Sequence, residues 1–428
     1  MSLAVLVFSF LVLLILGVPI AFSMVISTMF SLFVIGTIPL QVIVQRMTSG
    51  INSFPLLAIP FFILAGEILE KGGASKSLVD LSNIIVGRIR GGLAMVAVLA
   101  EIFLSGVTGS SVADGSTLGA ILLPMMKKKG YDDDFSAAII AASATNGLII
   151  PPSNTMILYG MVAGGVSIGA LFLAGFVPGI ILGIALMILC YIIAKKRNYP
   201  TEEPVSIKEG LHIVVYSIPA LMAIVIIMGG IVSGIFTATE AAVVSVVYSI
   251  LISLFIYRKW ELIKQMPEIL LNSAKTTAIV LILIAASTAF AWILAYENVP
   301  TMIGGIMLSI SDNPIVILAV TNLLLLIVGC FMDMSPAILI FTPMLLPIMT
   351  RIGVDPVHFG IIMMVNLSIG LITPPVGNLL FLMSSMANIS MTRISKAVAI
   401  FYIPLIIVLI LITYIPSLVM FLPNMLMK

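Results

Sequence analysis

From Leu3 to Gly36 the chain carries no charged residue, a stretch longer than the roughly 20 residues a helix needs to cross a bilayer. Similar stretches recur along the sequence, and 61% of the residues are hydrophobic against 9% charged, where soluble domains carry roughly 25% charged residues. A water-facing surface cannot be built from that stock. The bilayer is then the solvent, every backbone polar group inside it must be paired within the fold, and the expected class is an all-α polytopic membrane protein. The first run also reads as an uncleaved targeting signal, because the first Lys or Arg is Arg46 and a cleavable signal peptide would begin with basic residues.

Apolar runs set against breaks predict spans near 3–36, 54–72, 135–165, 168–194, 212–233, 236–257, 275–296, 357–388 and 395–422. Residues 91–126 and 314–350 are apolar at both ends but interrupted by glycine, serine, proline and aspartate, as expected of re-entrant hairpins whose irregular backbone faces protein or a cavity. With those two as hairpins, Arg88 and Arg90, Lys127–Lys129, Lys195–Arg197, Arg258–Lys264, and Arg393 with Lys396 fall on one side, which the positive-inside rule makes cytoplasmic. The sparsely basic loops at Ser311–Asn313 and Arg351–Asp355 fall on the other. This count puts Met1 inside and Lys428 outside.

One shift of the sequence on itself, 347 − 124 = 223, runs without gaps over about fifty residues. It brings Gly106 onto Gly329, Leu122–Pro124 onto Leu345–Pro347, Gly130 onto Gly353, Asp132 onto Asp355, Gly147–Ile149 onto Gly370–Ile372, and Pro151-Pro152 onto Pro374-Pro375. Chance aligns apolar letters readily, but not two Pro-Pro pairs, three glycines and an aspartate in one register. The hairpins open on opposite sides, so the copies are inverted repeats, which place a substrate site near the midplane in many secondary transporters.

Each copy carries a polar hairpin turn, Ser105–Asp114 or Gly329–Pro336, followed by a helix interrupted at Gly-x-x-x-Pro-Pro. Proline lacks a donor and clashes with the preceding turn, so carbonyls before Pro151 and Pro374 are freed. Freed carbonyls with Ser, Thr, Asn and Asp oxygens suit a hard cation such as Na⁺. Half-helix N-termini suit a carboxylate. A plain pair of proline kinks is the bland alternative, and it does not account for the repetition behind each polar turn. Asp114, Asp333 and Glu240 are expected at membrane depth, where a carboxylate is costly unless it meets a cation or donors. Thr237 and Thr239 share the break before Glu240. Glu101 lacks polar sequence neighbours and reads as structural.

Other features point to nothing further. The net charge of +2 is spread through short loops and disfavours nucleic acid. Cys190 and Cys330 lack CxxC or metal-ligand spacing and read as small core residues, and the 27 methionines read as adaptable packing. His212 and His358 are far apart without ligand-like neighbours. Gly179 and Gly183 form a GxxxG that usually means close helix packing. Gly73-Ala-Ser-Lys-Ser77 lacks the spacing of a phosphate-binding loop, and no nucleophile and base pair at helical spacing supports an intramembrane protease, so an enzyme is not expected.

Taken together, Ser105–Asp114, Gly119–Pro124, Gly130-Tyr-Asp132, Phe135–Ala138, Pro151–Ser153, Asp333-x-x-Pro336, Pro343–Pro347 and Gly370–Pro375 resemble the large membrane subunit of tripartite ATP-independent periplasmic (TRAP) transporters over essentially the whole chain. One departure is Thr145-Asn-Gly-Leu-Ile-Ile-Pro151, where a Gly-Pro pair is expected earlier. The resemblance implies an inverted-repeat, elevator-type fold like that of the ion transporter superfamily, lying in a bacterial inner membrane. It implies scaffold and arm helices at 1–90, 166–312 and 391–428, and transport-domain parts at 91–165 and 313–390.

Carried onto matching positions, Na⁺, at least two ions, would sit near Thr108, Gly109 and Ser110 with Asn146 and Gly147, and near Gly329, Met332 and Asp333 with Gly370 and Thr373. The substrate would lie between, on Ser110, Ser111, Asp114, Ser153, Asn154, Asp333, Ser335 and Pro375. The implied partners are a small four-helix membrane subunit and a periplasmic substrate-binding protein that delivers an organic acid. Sialic acids, C4-dicarboxylates and other sugar acids or keto acids all remain open, with general likeness leaning slightly to a sialic-acid-type substrate. Each net positive charge moving inward gains about 2.3 kcal/mol per 100 mV. The competing expectation is a stand-alone ion-coupled permease or exporter without a receptor.

Overall fold

A computed structural model describes residues 1–202, 206–311 and 313–427, the side chains of Leu308 and Ile310 apart. Asp312, in the loop expected on the outer face, and Lys428 lie outside the described residues. The first half comprises α1 (Ser2–Ile15), α2 (Ile20–Ile35), α3 (Gln41–Ile51), α4 (Ala58–Lys71), α5 (Ala74–Val86), α6 (Gly92–Thr108), α7 (Ser111–Lys128), α8 (Asp133–Ala144), α9 (Asn154–Val162) and α10 (Ile168–Arg197). The second comprises α11 (Ile207–Val232), α12 (Ala238–Leu251), α13 (Leu262–Tyr296), α14 (Val299–Ile310), α15 (Pro314–Phe331), α16 (Met334–Arg351), α17 (Pro356–Gly370), α18 (Asn378–Ala387), α19 (Met391–Val398), α20 (Tyr402–Tyr414) and α21 (Pro416–Leu426). No strand occurs among the described residues.

The repeat read from the sequence is a structural one. Helices α7 and α16 begin and end at matching positions, 334 − 111 = 223 and 351 − 128 = 223, and both Pro-Pro bonds are cis. The bent pair α3 and α4, which turn by 64° at their junction, corresponds to the single 35-residue α13. Packing crosses between copies: α9 lies on α16, α18 lies on α7 and α8, and α4 and α12 pair as α13 and α2 do. Neither half therefore buries its apolar surface alone. The most enclosed helices are the repeat mates α8 and α17, buried from Phe135 to Ala144 and from His358 to Gly370.

The hairpins open at opposite ends of α10. At its C-terminal end, Ala194 Cβ lies 2.3 Å from where a Cβ on Gly91 would stand, and Lys129, which follows α7, pairs with Glu202 at 3.3 Å. Near its N-terminal end, Ile168 lies against Gly160, and Tyr159 Oη donates to the carbonyl of Pro356, which starts α17, at 2.6 Å. The basic clusters do share one face. Arg393 reaches Asp134 at 3.4 Å, Arg197 reaches Asp132 at 2.6 Å, and α5 runs along that face from Gly73, beside Lys259, to Gly87, whose carbonyl accepts from the Glu202 N–H.

Two expected spans are different. The run 3–36 is two helices, because Gly17 at φ +79° and Pro19 end one and start the next. They pack as a hairpin, with Ser31 Oγ donating to the Ser2 carbonyl at 3.3 Å. Ser2 Oγ also bonds Glu297 at 2.6 Å, beyond the end of α13, whose other end ties Glu268 to Lys71. With 35 residues rising about 1.5 Å each, those ends lie on opposite faces. Ser2 therefore sits opposite the basic clusters, not inside as the single-span count required. The run 395–422 likewise stops at Tyr414, and α21 turns to pack on α10, since Pro416 cannot continue the ladder.

Small residues allow the closest contacts. Added Cβ atoms on Gly175, Gly179 and Gly183 of α10 would stand 2.2 Å from the Ile149 carbonyl oxygen, 2.4 Å from Ile150 and 2.4 Å from Ile102. The GxxxG therefore lets α10 support the interrupted helix rather than pair with another chain.

Candidate functional site

The turns of the two hairpins meet in one cavity of about 230 Å³. Hairpin α6–α7 supplies Thr108 through Ala113, hairpin α15–α16 supplies Asp333, Met334 and Ser335, and the interrupted helix supplies Leu148, Asn154 and Thr155. Glu67 and Glu70 of α4, with Thr276 of α13, form the facing wall. Three helices, α7, α9 and α16, begin at this cavity with Ser111, Asn154 and Met334. Their first N–H groups have no partner within the helix and carry the positive end of the dipole. No Lys or Arg lines the cavity among the described residues.

Behind the first turn lies a buried acidic pair. Glu101, read from sequence as structural, and Asp114 are 0% and 1% exposed. Thr108 Oγ1 donates to Asp114 Oδ1, and Ser105 Oγ contacts Glu101 Oε1 at 3.4 Å. Glu101 Oε2, Asp114 Oδ2 and Asn146 Oδ1 are buried with no donor group beside them, and the two carboxyls lie close enough to share either a proton or a cation. A Cβ on Gly147 would stand 2.9 Å from Glu101 Oε1 and 3.0 Å from Asp114 Oδ2, so glycine is what lets the two carboxylates approach this backbone. Orphaned oxygen acceptors are the donor set a hard alkali cation takes. In the second copy the matching positions are Leu324 and Ala337 (101 + 223 and 114 + 223), so the pair belongs to one repeat only.

The second turn is built from backbone. A Cβ on Gly370 would meet Gly329 Cα and C at 2.5 Å and its carbonyl oxygen at 2.6 Å. The Val376 N–H donates to the Cys330 carbonyl at 3.3 Å. Asp333 precedes α16 and opens onto the cavity, with the Met334 N–H and the Asn378 side chain beside it. Asn366 Nδ2 donates to Asn322 Oδ1 at 2.8 Å and Asn322 Nδ2 to Thr413 Oγ1 at 3.0 Å, a buried chain fixing α15, α17 and α20 one turn from Gly370.

The structure thus brings Thr108, Gly109, Ser110, Ser111, Asn154, Asp333 and Ser335 to one cavity, with Asp114, Asn146 and Gly147 directly behind it. Met332, Gly329, Gly370 and Thr373 form the adjoining turn, where Thr373 Oγ1 donates to the Ile369 carbonyl at 2.8 Å. Two positions are elsewhere engaged. Ser153 Oγ donates to the Leu148 carbonyl at 2.8 Å, bridging the helix break, and Pro375 is exposed outside the cavity lining.

Glu240 and Thr237 do not join the site. Both are exposed, and they cap α12 reciprocally, with the Thr237 N–H donating to Glu240 Oε2 at 2.8 Å and the Glu240 N–H to Thr237 Oγ1 at 3.3 Å. The spacing Thr-x-x-Glu before an apolar run is itself the signature of such a cap. The sequence reading missed Glu67 and Glu70 as well as Glu101. Their signal was carboxylates within otherwise apolar helices, which is costly in a membrane without a partner.

The sequence pattern described as "Tripartite ATP-independent periplasmic transporter, DctM component" matches residues 7–418. The chain is 44% identical over 421 residues to the Salmonella typhimurium protein called uncharacterized protein YgiK, covering 97% of this chain and 96% of that one. It is 38% identical over 419 residues to the sialic acid TRAP transporter large permease protein SiaM of Vibrio cholerae, covering 98% of each. Among solved structures, the Alcanivorax borkumensis YdaH transporter shares the fold with a TM-score of 0.59 at 12% identity, over 90% of this chain and 88% of that one.

Proposed function

This chain belongs to the DctM-component family of TRAP transporters, and from that premise we propose that it is the permease of a Na⁺-coupled importer for a small organic acid, working as an elevator. The observation that carries the reading is the meeting of two mirror-related turns on one cavity into which three helices begin. With no basic side chain in the lining, the acid group of the substrate is held by free N–H groups of α7, α9 and α16 and by the Ser110, Ser111 and Ser335 hydroxyls.

Na⁺ is cargo in this reading. Thr108–Ser110 with Asn146, Gly147 and Asp114 would hold one ion, and Gly329–Asp333 with Gly370 and Thr373 another. The orphaned oxygens of Glu101, Asp114 and Asn146 support the first, and the backbone contact of Gly329 with Gly370 supports the second. Both ions neutralise a cavity that otherwise repels an anion through Asp333, Glu67 and Glu70, so a carboxylate binds well only once they are in place. That coupling makes uptake follow the Na⁺ gradient.

The moving body comprises residues 91–165 and 313–390, which meet across α7–α18 and α9–α16, and it slides against α4, α13 and the remaining helices. A small membrane subunit and a periplasmic binding protein complete the system, the latter delivering substrate to the face opposite the basic clusters. Related permeases 37–41% identical to this chain are named for isethionate, sialic acid, 2,3-diketo-L-gulonate and C4-dicarboxylates. These identities do not separate one acid from another, so the substrate is proposed at the level of the class.

The test reconstitutes the permease with its small subunit and binding protein in vesicles and follows uptake of a labelled acid panel under imposed Na⁺, K⁺ or H⁺ gradients. Uptake that requires both the receptor and Na⁺ is expected. Uptake indifferent to Na⁺, or undiminished without the receptor, refutes the reading.

A further inference from the structure

Where α10 ends and α19 begins, a cavity of about 730 Å³ opens on the basic face. Lys196 and Arg197 enter it from α10, Arg393 and Lys396 from α19, and Ile192 and Ile400 form an apolar wall. Those isoleucines are 56% and 42% exposed, an apolar surface available to acyl chains. The cationic groups come from segments about two hundred residues apart in the chain (393 − 196 = 197), so the fold, and no single basic loop, assembles the cluster.

Two of the charges are neutralised and two are not. Arg197 pairs with Asp132 at 2.6 Å and Arg393 with Asp134 at 3.4 Å. Among the described residues, no carboxylate lies within ion-pair distance of Lys196 or Lys396. The dipole of α10 accounts for Lys195–Arg197 at its C-terminus, where cations are favoured. Lys396 likewise lies in the last turn of α19, whereas Arg393 in its first turn is held by Asp134; a helix end carries only about half a charge and leaves the two lysines in net positive surplus. Surplus positive charge beside an apolar wall, at the boundary where α10 leaves the membrane, matches the two ends of one kind of molecule. We propose that this cavity binds an anionic phospholipid, its headgroup phosphate between Lys196 and Lys396 and its acyl chains along Ile192 and Ile400.

The site stands apart from the substrate cavity, so its test does not depend on transport. The purified complex is titrated with phosphatidylglycerol, phosphatidylcholine and inorganic phosphate, with bound lipid read by native mass spectrometry. Phosphatidylglycerol is expected to bind, and the other two probes not. Lys196→Gln with Lys396→Gln weakens binding roughly fivefold for each lysine and about thirtyfold for both, while Lys196→Arg with Lys396→Arg retains it. Lys208→Gln with Lys264→Gln, on the same face but outside the cavity, leaves it unchanged. The proposal is overturned if the Lys196 and Lys396 glutamine variant binds phosphatidylglycerol like the parent, if the Lys208 and Lys264 variant loses as much, or if phosphate displaces the lipid as a free-anion site would require.

Discussion

Gly370→Ala tests the most demanding contact in the site. The new Cβ would stand 2.5 Å from Gly329 Cα and C, where ordinary contact begins near 3.4 Å, so one backbone must retreat by 3.4 − 2.5, about 0.9 Å. Neither partner is a flexible side-chain end that could swing aside. Overpacking of this kind costs about 1–3 kcal/mol. If that strain opposes the geometry that binds the second Na⁺, the half-saturating Na⁺ concentration rises roughly fivefold to 150-fold. The assay is receptor-dependent uptake in vesicles against external Na⁺, with a thermal melt at saturating Na⁺ to show that the complex still assembles. Gly229→Ala is the control, because nothing lies within 4 Å of its added Cβ. A half-saturating Na⁺ within twofold of the parent for Gly370→Ala would refute the claim that glycine-on-glycine backbone contact builds this turn.

Asp333→Asn keeps the shape of the second turn but removes a charge from the cavity, and is expected to abolish Na⁺-driven uptake while leaving the melting midpoint near the parent value; undiminished uptake would exclude Asp333 from the site. Thr237→Ala removes the cap of α12 and is expected to cost about 1 kcal/mol of stability, read as a lower midpoint, without changing the Na⁺ dependence of uptake. Asp132 carries a pH prediction. The Tyr199 hydroxyl, and then Arg197, hold its carboxyl below the ordinary range. A depressed folded-state value means that its contribution is complete above about pH 4, the unfolded aspartate value, and is lost as pH falls through the folded value. Parent and Asp132→Asn melting midpoints should therefore differ at neutral pH and converge in acid, and a gap that widened in acid would reverse the sign of the argument.

Which parts of this protein its sequence determines follows from period and composition. Apolar runs with little charge require helices in a bilayer, and the shift of 223 residues, anchored by Pro-Pro pairs and glycines, requires two copies of one fold. Prolines and turn residues mark where backbone groups come free, so the two turns and both interrupted helices are legible in the sequence. Basic residues report which face each loop occupies because the rule depends on charge count and not on packing.

Tertiary structure decided what depends on which helix lies against which. Leu3–Gly36 has the length of one span, yet it folds back because Gly17 and Pro19 break the ladder and α2 finds α13 to pack against. Glu101 has Ser105 one turn on as its local partner, but only the folding of α7 back on α6 brings Asp114 to it, with Gly147 leaving room for both carboxylates. Glu240 looks like a buried carboxylate in a one-dimensional reading and proves to be an exposed cap. Apolar letters are nearly interchangeable in lipid, so they say that a helix is in the membrane and leave its neighbours unspecified. The neighbours are chosen by glycines that admit close backbones and by polar atoms that must find partners, which are properties of the assembled fold.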